Sequence, residues 1–211
     1  MNEKRKYVIE NLLMEGFIES ESEVIQLEEK EESGKSLLEI HLKDKENLSI
    51  KNIDMKNTQM YYFRSDKNLS LYKRVDHIVF EHISDDDWKL HLKSRVHLIE
   101  MKSTLGNGTW VEARGKFRAS YLWAQGIAAM LDINIVSTHM YTSYEKVQLA
   151  ASDTMPTERR LLVGEHYVKM EEEWNGNKFT LNFGTKICFK HTPIEMVRNE
   201  ANVLIGKYTV E

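Results

Sequence analysis

Residues 90–102 read LHLKSRVHLIEMK, and the reading of the whole chain turns on this stretch. Side chains of a strand alternate between its two faces. One face takes Leu90, Leu92, Ser94, Val96, Leu98, Glu100 and Lys102; the other takes His91, Lys93, Arg95, His97, Ile99 and Met101. The first face is apolar until its last positions, where a carboxylate and an ammonium stand side by side. Burying such charges costs several kcal/mol unless they pair or meet an ion. The strand is therefore expected to end in a structural ion pair or in chemistry. The stripe of His91, Lys93, Arg95 and His97 is expected to be solvated surface. A Glu-x-Lys tripeptide alone decides little, since Glu28-x-Lys30 repeats it and short motifs recur by chance. Setting distinguishes the two: only Glu100-Met101-Lys102 ends an alternating strand and precedes the breaker Gly106-Asn107-Gly108.

Working outward, Thr109-Trp110-Val111-Glu112 has the form of a capping box and opens a helix expected to run to about residue 131. Residues 133–141 are apolar and β-branched, the pattern of a buried strand. Upstream, 75–82 reads as a strand closed by the turn-forming cluster Ser84-Asp85-Asp86-Asp87. If 75–82 and 90–102 form an antiparallel hairpin, Asp76 approaches Glu100. A turn centred on Asp86 would instead pair Asp76 near Val96, so that approach requires a longer loop or a bulge. Further out, 4–17 has helical spacing at Tyr7, Val8, Leu12, Leu13 and Phe17, and the acidic segment 19–36 reads as a loop or solvated face. Short strands are expected at 37–42, 48–53 and 60–63, and a helical stretch around 157–173. Asn175-Gly176-Asn177 then turns into strands across 179–189, and Pro193 is expected to start a last helix. The order describes a mixed α/β (α+β) domain.

The 211 residues, with 10 Gly and 2 Pro, suffice for one sizeable core. We read a single domain with its motif-bearing core at about 70–141 and a C-terminal extension at about 156–211. No apolar run approaches the roughly 18–20 residues of a membrane span. The basic start of the chain carries Glu10 and Asn11 where a signal peptide would be apolar. The single Cys188 excludes an internal disulfide and a cysteine-rich zinc site. A cytoplasmic protein with no membrane partner is the expectation; a homodimer is compatible with the sequence, which does not fix subunit number. Net charge is -4, but residues 61–130 hold 11 basic against 8 acidic residues. A polyanion would meet the chain there.

RVD at 74–76, LIEMKS at 98–103 and the helix that follows resemble the PD-(D/E)XK nuclease superfamily, with Val75 standing where proline gives the family its name. The resemblance covers about residues 70–141. It implies a restriction-endonuclease-like αβββαβ core, a central mixed sheet flanked by helices. It further implies that Asp76, Glu100 and the backbone carbonyl of Met101 bind Mg²⁺ or Mn²⁺, and that Lys102 positions or polarises the attacking water. Asp76, Glu100 and Lys102 would be the catalytic residues of a metal-dependent nuclease, acting on DNA ahead of RNA. The chemistry suits the residues, because hard oxygen donors suit these ions and the ion acidifies water and neutralises phosphate charge.

On the helix after the glycines, Phe117, Ala124, Ala128 and Leu131 share an apolar arc. Arg114, Arg118, Tyr121 and Gln125 form a polar stripe along its edge, and the resemblance implies that they reach substrate phosphates. His77, His82, His91 and His97 lack zinc-site spacing. No nucleophile elbow is evident around Ser103, Thr104 and His139, and there is no GxxxxGK phosphate loop. The alternative class is a catalytically inactive nuclease-fold module that binds nucleic acid or a protein partner.

Overall fold

The computed structural model describes residues 3–11, 13, 17–31, 34–44, 47–51, 70–83, 92–149 and 170–210. The described residues form a mixed α+β fold built on three layers. A short helix α1 (Glu3–Asn11) is followed by strands β1 (Glu19–Glu21), β2 (Val24–Glu31), β3 (Gly34–His41) and β4 (Asn47–Lys51). Next come β5 (His77–His82), β6 (Leu92–Met101), β7 (Thr104–Gly106) and the long helix α2 (Asn107–Leu131). After α2 follow β8 (Ile133–Tyr144), β9 (Lys146–Gln148), helix α3 (Met170–Asn175) and β10 (Lys178–Asn182). The chain closes with β11 (Lys186–Glu195), β12 (Val197–Arg198) and β13 (Leu204–Thr209).

The main sheet has the order β1-β4-β5-β6-β8-β11-β10. Strands β4, β5 and β6 form an antiparallel meander; β8 then lies parallel to β6 after the α2 crossover, and β11 lies parallel to β8. Strands β12-β13-β3-β2 make a second sheet, and β7 and β9 a small parallel pair. Helix α2 covers one face of the main sheet through Trp110, Ala113, Phe117, Ala124, Ile127 and Leu131, packed with Ile78, Phe80, Val96, Leu98 and Met140. The second sheet covers the other face, where Ile25, Leu27, Leu38 and Ile40 meet Val79, Ile99, Met101, Tyr141 and Ile194. The period-two pattern of β6 therefore feeds two cores.

Several expectations change here. The acidic 19–36 segment is strand, not loop: Ile25 and Leu27 alternate inward from β2 and are fully buried. Four glutamates over Glu28–Glu31 and their neighbours had masked that short alternation. Pro193 starts no helix. It sits within β11, opposite Thr142 of β8, beyond the point where β10 pairing stops at Lys190. His191 N–H points to the β10 side, toward the Asn177 carbonyl, so two residues later the missing proline N–H faces an unpaired edge, where proline is tolerated. Helix α2 begins three residues earlier than the capping-box pattern suggests. Gly106 is its N-cap, and the Thr109 hydroxyl accepts the Gly106 N–H at 2.7 Å and donates to the Gly106 carbonyl at 2.9 Å. The stripe on β6 is not all solvated either: His97 is buried and Arg95 half-buried. The expected strand at 60–63, the turn at 84–87 and most of the helical stretch at 157–173 lie outside the described residues. No helix among the described residues is long and apolar enough to cross a membrane.

Candidate active site

Asp76 stands one residue before β5, where the ladder to β6 ends at the pair His77–Ile99. Continued by one residue, that register brings Asp76 level with Glu100 rather than with Val96. The Asp76 carboxylate continues the ladder in place of backbone, its Oδ2 accepting the Met101 N–H at 2.5 Å. A strand residue directs its N–H and C=O to the same side. The Met101 carbonyl therefore also faces Asp76, while its side chain fills the opposite core.

Helix α2 fixes the approach of this segment. One line of the helix, at spacings of four, four and three, presents Glu112, Lys116, Ser120 and Trp123. Glu112 accepts from Lys73 Nζ at 2.9 Å, and the Ser120 hydroxyl accepts the Val75 N–H at 2.8 Å. Trp123 donates its indole N–H to the Leu71 carbonyl at 3.0 Å, and its ring lies 4.9 Å beneath the Arg74 guanidinium. Residues 71–75 are thus strapped along the helix, and Asp76 is delivered at its end.

Glu100 projects from β6 beneath α2 and is fully buried. Its Oε1 accepts from Lys116 Nζ at 2.7 Å and is ion-paired with Lys102 Nζ at 2.9 Å. The Lys116 ammonium also lies 3.7 Å from Asp76 Oδ1. Two carboxylates, one near the end of β6 and one just before β5, therefore converge on one cation. Glu100 Oε2, in contrast, is buried with no hydrogen-bond partner, and leaving an acceptor in that state is costly. Burial, then the neighbouring Asp76 charge, push the Glu100 carboxyl from its usual 4.5 up to about 7, against the pull of Lys102 and Lys116. Carboxylates with raised pKa values beside a second acid recur at functional sites and also in structural ion-pair networks.

In chemistry the donors suit a divalent ion: Asp76, Glu100 and the Met101 carbonyl offer hard oxygens, and the two carboxylates already share one cation, the Lys116 ammonium, at 3.7 and 2.7 Å. Among the described residues, no group of three or more His, Cys, Asp or Glu side chains is placed to hold a metal, so any ion here depends on backbone and water oxygens as well, as Mg²⁺ commonly does.

The structure brings Asp76, Glu100, Met101 and Lys102 together, but it directs the proposed substrate stripe elsewhere. Arg114 donates to Glu173 of α3 at 2.5 Å and lies over the Phe179 ring at 5.7 Å. Tyr121 packs edge-on to Phe189 and tilted to Phe183, on the β10–β11 side. Arg118 is half-buried one turn beyond Arg114, and Gln125 is exposed. Arg114 and Lys116 are two residues apart, so at 100° per residue they leave the helix on nearly opposite sides. The side facing Asp76 is the line of Glu112, Lys116, Ser120 and Trp123. Lys116 is the site residue that sequence reasoning missed. Its line has the same helical spacing as the arginine stripe, but mixed residue types concealed it.

A second polar cluster lies across the sheet. His97 sits between Glu81 Oε2 and the Tyr141 hydroxyl, at 2.9 Å each. Glu81 also accepts the Lys43 N–H at 3.0 Å and Arg95 Nη1 at 3.3 Å. Although burial raises the Glu81 pKa, these donors together hold it at about 2. His139 stacks on Tyr141 with ring centroids 4.3 Å apart, and burial pushes its pKa down to about 3. Every member has a partner within the cluster, which therefore ties the segment after β3 to β5, β6 and β8.

No family model, curated protein or solved structure matches the chain.

Proposed function

We propose that the chain is a metal-dependent nuclease, hydrolysing phosphodiester bonds of nucleic acid, with DNA favoured over RNA. The observation that carries this reading is the convergence of Asp76 and a buried, half-satisfied Glu100 at the open end of the β5–β6 ladder, with Lys102 beside them. The succession of α1, the β4–β5–β6 meander, α2 and β8, with β1–β3 inserted after α1, supports a restriction-endonuclease-like αβββαβ core.

Bound Mg²⁺ or Mn²⁺ would supply a more acidic water and neutralise charge on the phosphate. The chain's own groups do the rest. Asp76, Glu100 and the Met101 carbonyl hold the ion. Lys102, whose side chain is less buried than Glu100, orients the water and offsets charge developing on the phosphate. An ammonium has only donors and cannot ligate a cation, so its role is separable from that of the carboxylates.

The test is a cleavage time course with Mg²⁺ and with Mn²⁺ on single-stranded DNA, duplex DNA and RNA. Lys102→Ala is expected to abolish cleavage and retain Mn²⁺ binding by calorimetry, whereas Asp76→Ala and Glu100→Ala lose both. Equal turnover by wild type and Lys102→Ala rejects the assignment. Absence of turnover by wild type on every substrate moves the reading to a nuclease-fold binding module.

A further inference from the structure

Lys116 stands where the proposed ion would stand. Its ammonium is 2.7 Å from Glu100 Oε1 and 3.7 Å from Asp76 Oδ1, and an ion shared by those carboxylates would have its ligand oxygens at about 2.0–2.6 Å. Both cations cannot occupy that space, since like charges at such separation repel strongly wherever water is scarce. The side chain is long, flexible and still partly open to solvent, at 13% exposure. One turn back on α2 lies Glu112, within Coulombic range of both Lys102 and Lys116. A glutamate four residues before a lysine is the favourable orientation for a helical ion pair, so a displaced ammonium can share the carboxylate that already accepts from Lys73 at 2.9 Å.

We propose that Lys116 is a built-in counter-ion: it neutralises Asp76 and Glu100 in the metal-free protein, competes with the divalent cation for them, and swings out toward Glu112 when the cation binds. This rests on the metal-site half of the nuclease reading and is independent of turnover. Lys116 acts on the site by occupying it, and is a positioning residue for the carboxylates rather than a ligand. Without it, two carboxylates would face each other at a buried strand end whenever the ion is absent.

The first measurement uses the wild-type chain. Amine acylation read by mass spectrometry reports the accessibility of each lysine, with Lys186, exposed on β11, as internal reference. Labelling of Lys116 is expected to rise several-fold on saturation with Mn²⁺, while that of Lys186 stays level. The second measurement is calorimetric titration with Mn²⁺ of wild type, Lys116→Met and Lys116→Arg. Lys116→Met is expected to bind Mn²⁺ at least ten-fold more tightly and to melt lower than wild type without metal. Lys116→Arg, which keeps the charge, is expected to bind no more tightly than wild type. Unchanged Lys116 labelling on Mn²⁺ saturation, or equal or weaker binding by a folded Lys116→Met, overturns the proposal. So does failure of the wild type and Lys116→Met alike to bind Mn²⁺, an outcome that also removes the nuclease reading. Metal-linked labelling and tighter binding in a protein that cleaves nothing uphold the counter-ion and reject only the nuclease; cleavage with unchanged labelling does the reverse.

Discussion

Replacing Glu100 with glutamine should stabilise the metal-free protein above neutrality and do little for it in mild acid. Glu100 faces Asp76 from the start of β5, Lys102 on its own strand end and Lys116 from α2. Burial and Asp76 raise its pKa from the usual 4.5 to about 7. An acid whose folded pKa is raised binds its proton more tightly when folded. Its contribution to stability is complete below pH 4.5 and is lost as pH climbs through 7. A displacement of that size corresponds to about 3 kcal/mol between the two ends of the window. Glutamine keeps the shape and has no proton to lose. The difference in unfolding free energy between Glu100→Gln and wild type should therefore grow by about 3 kcal/mol from pH 4.5 to pH 8. For a chain of this length that is on the order of 6–12 °C in Tm. Thermal and urea unfolding in the presence of a chelator, at several pH values, measures it. A difference independent of pH, or a Glu100→Gln protein less stable than wild type at pH 8, would refute the reasoning. A stabilising substitution that removes function is the expected signature of a site held in a costly arrangement.

The polar cluster across the sheet should behave oppositely. The Glu81 pKa is held near 2, so its stabilisation is complete above the usual 4.5 and is lost as pH falls toward 2. Glu81→Ala should cost about 3–5 kcal/mol at pH 7 by stranding His97 and Arg95, and should flatten the acid limb of the unfolding profile, read by circular dichroism. Arg114→Ala should destabilise the fold, since it leaves the buried Glu173 without its partner, while Mn²⁺ affinity by calorimetry stays as in wild type. A large loss of metal binding in Arg114→Ala would place that residue at the site after all.

The strand residues were legible because β6 alternates without interruption: Val96 and Leu98 face α2, Ile99 and Met101 face the second sheet, and Glu100 stands out as a charge on an apolar row. Lys102 follows from adjacency. Asp76 was legible only conditionally, because a hairpin's register depends on the length of its connection, and a slip of one residue would send the side chain to the other face. Acidic composition hid β2, whose buried face is only Ile25 and Leu27. For Pro193, a local preference for helix starts lost to an unpaired edge in β11.

What the sequence determined by itself was chemistry carried on single elements: a strand ending in Glu100 and Lys102, a helix after it, and the carboxylate of Asp76 upstream. What the tertiary structure decided was which line of that helix faces the carboxylates. Two polar lines of α2, one with Arg114 and one with Lys116, have near-identical spacing, and periodicity cannot rank them. The choice was made by long-range contacts: Glu173 of α3 takes Arg114 to one side, and the strap of residues 71–75, held by Glu112, Ser120 and Trp123, takes Lys116 to the other. Those partners lie about 39 to 59 residues away along the chain, beyond the reach of any local pattern, because helix orientation is set by packing on a sheet rather than by the helix's own sequence.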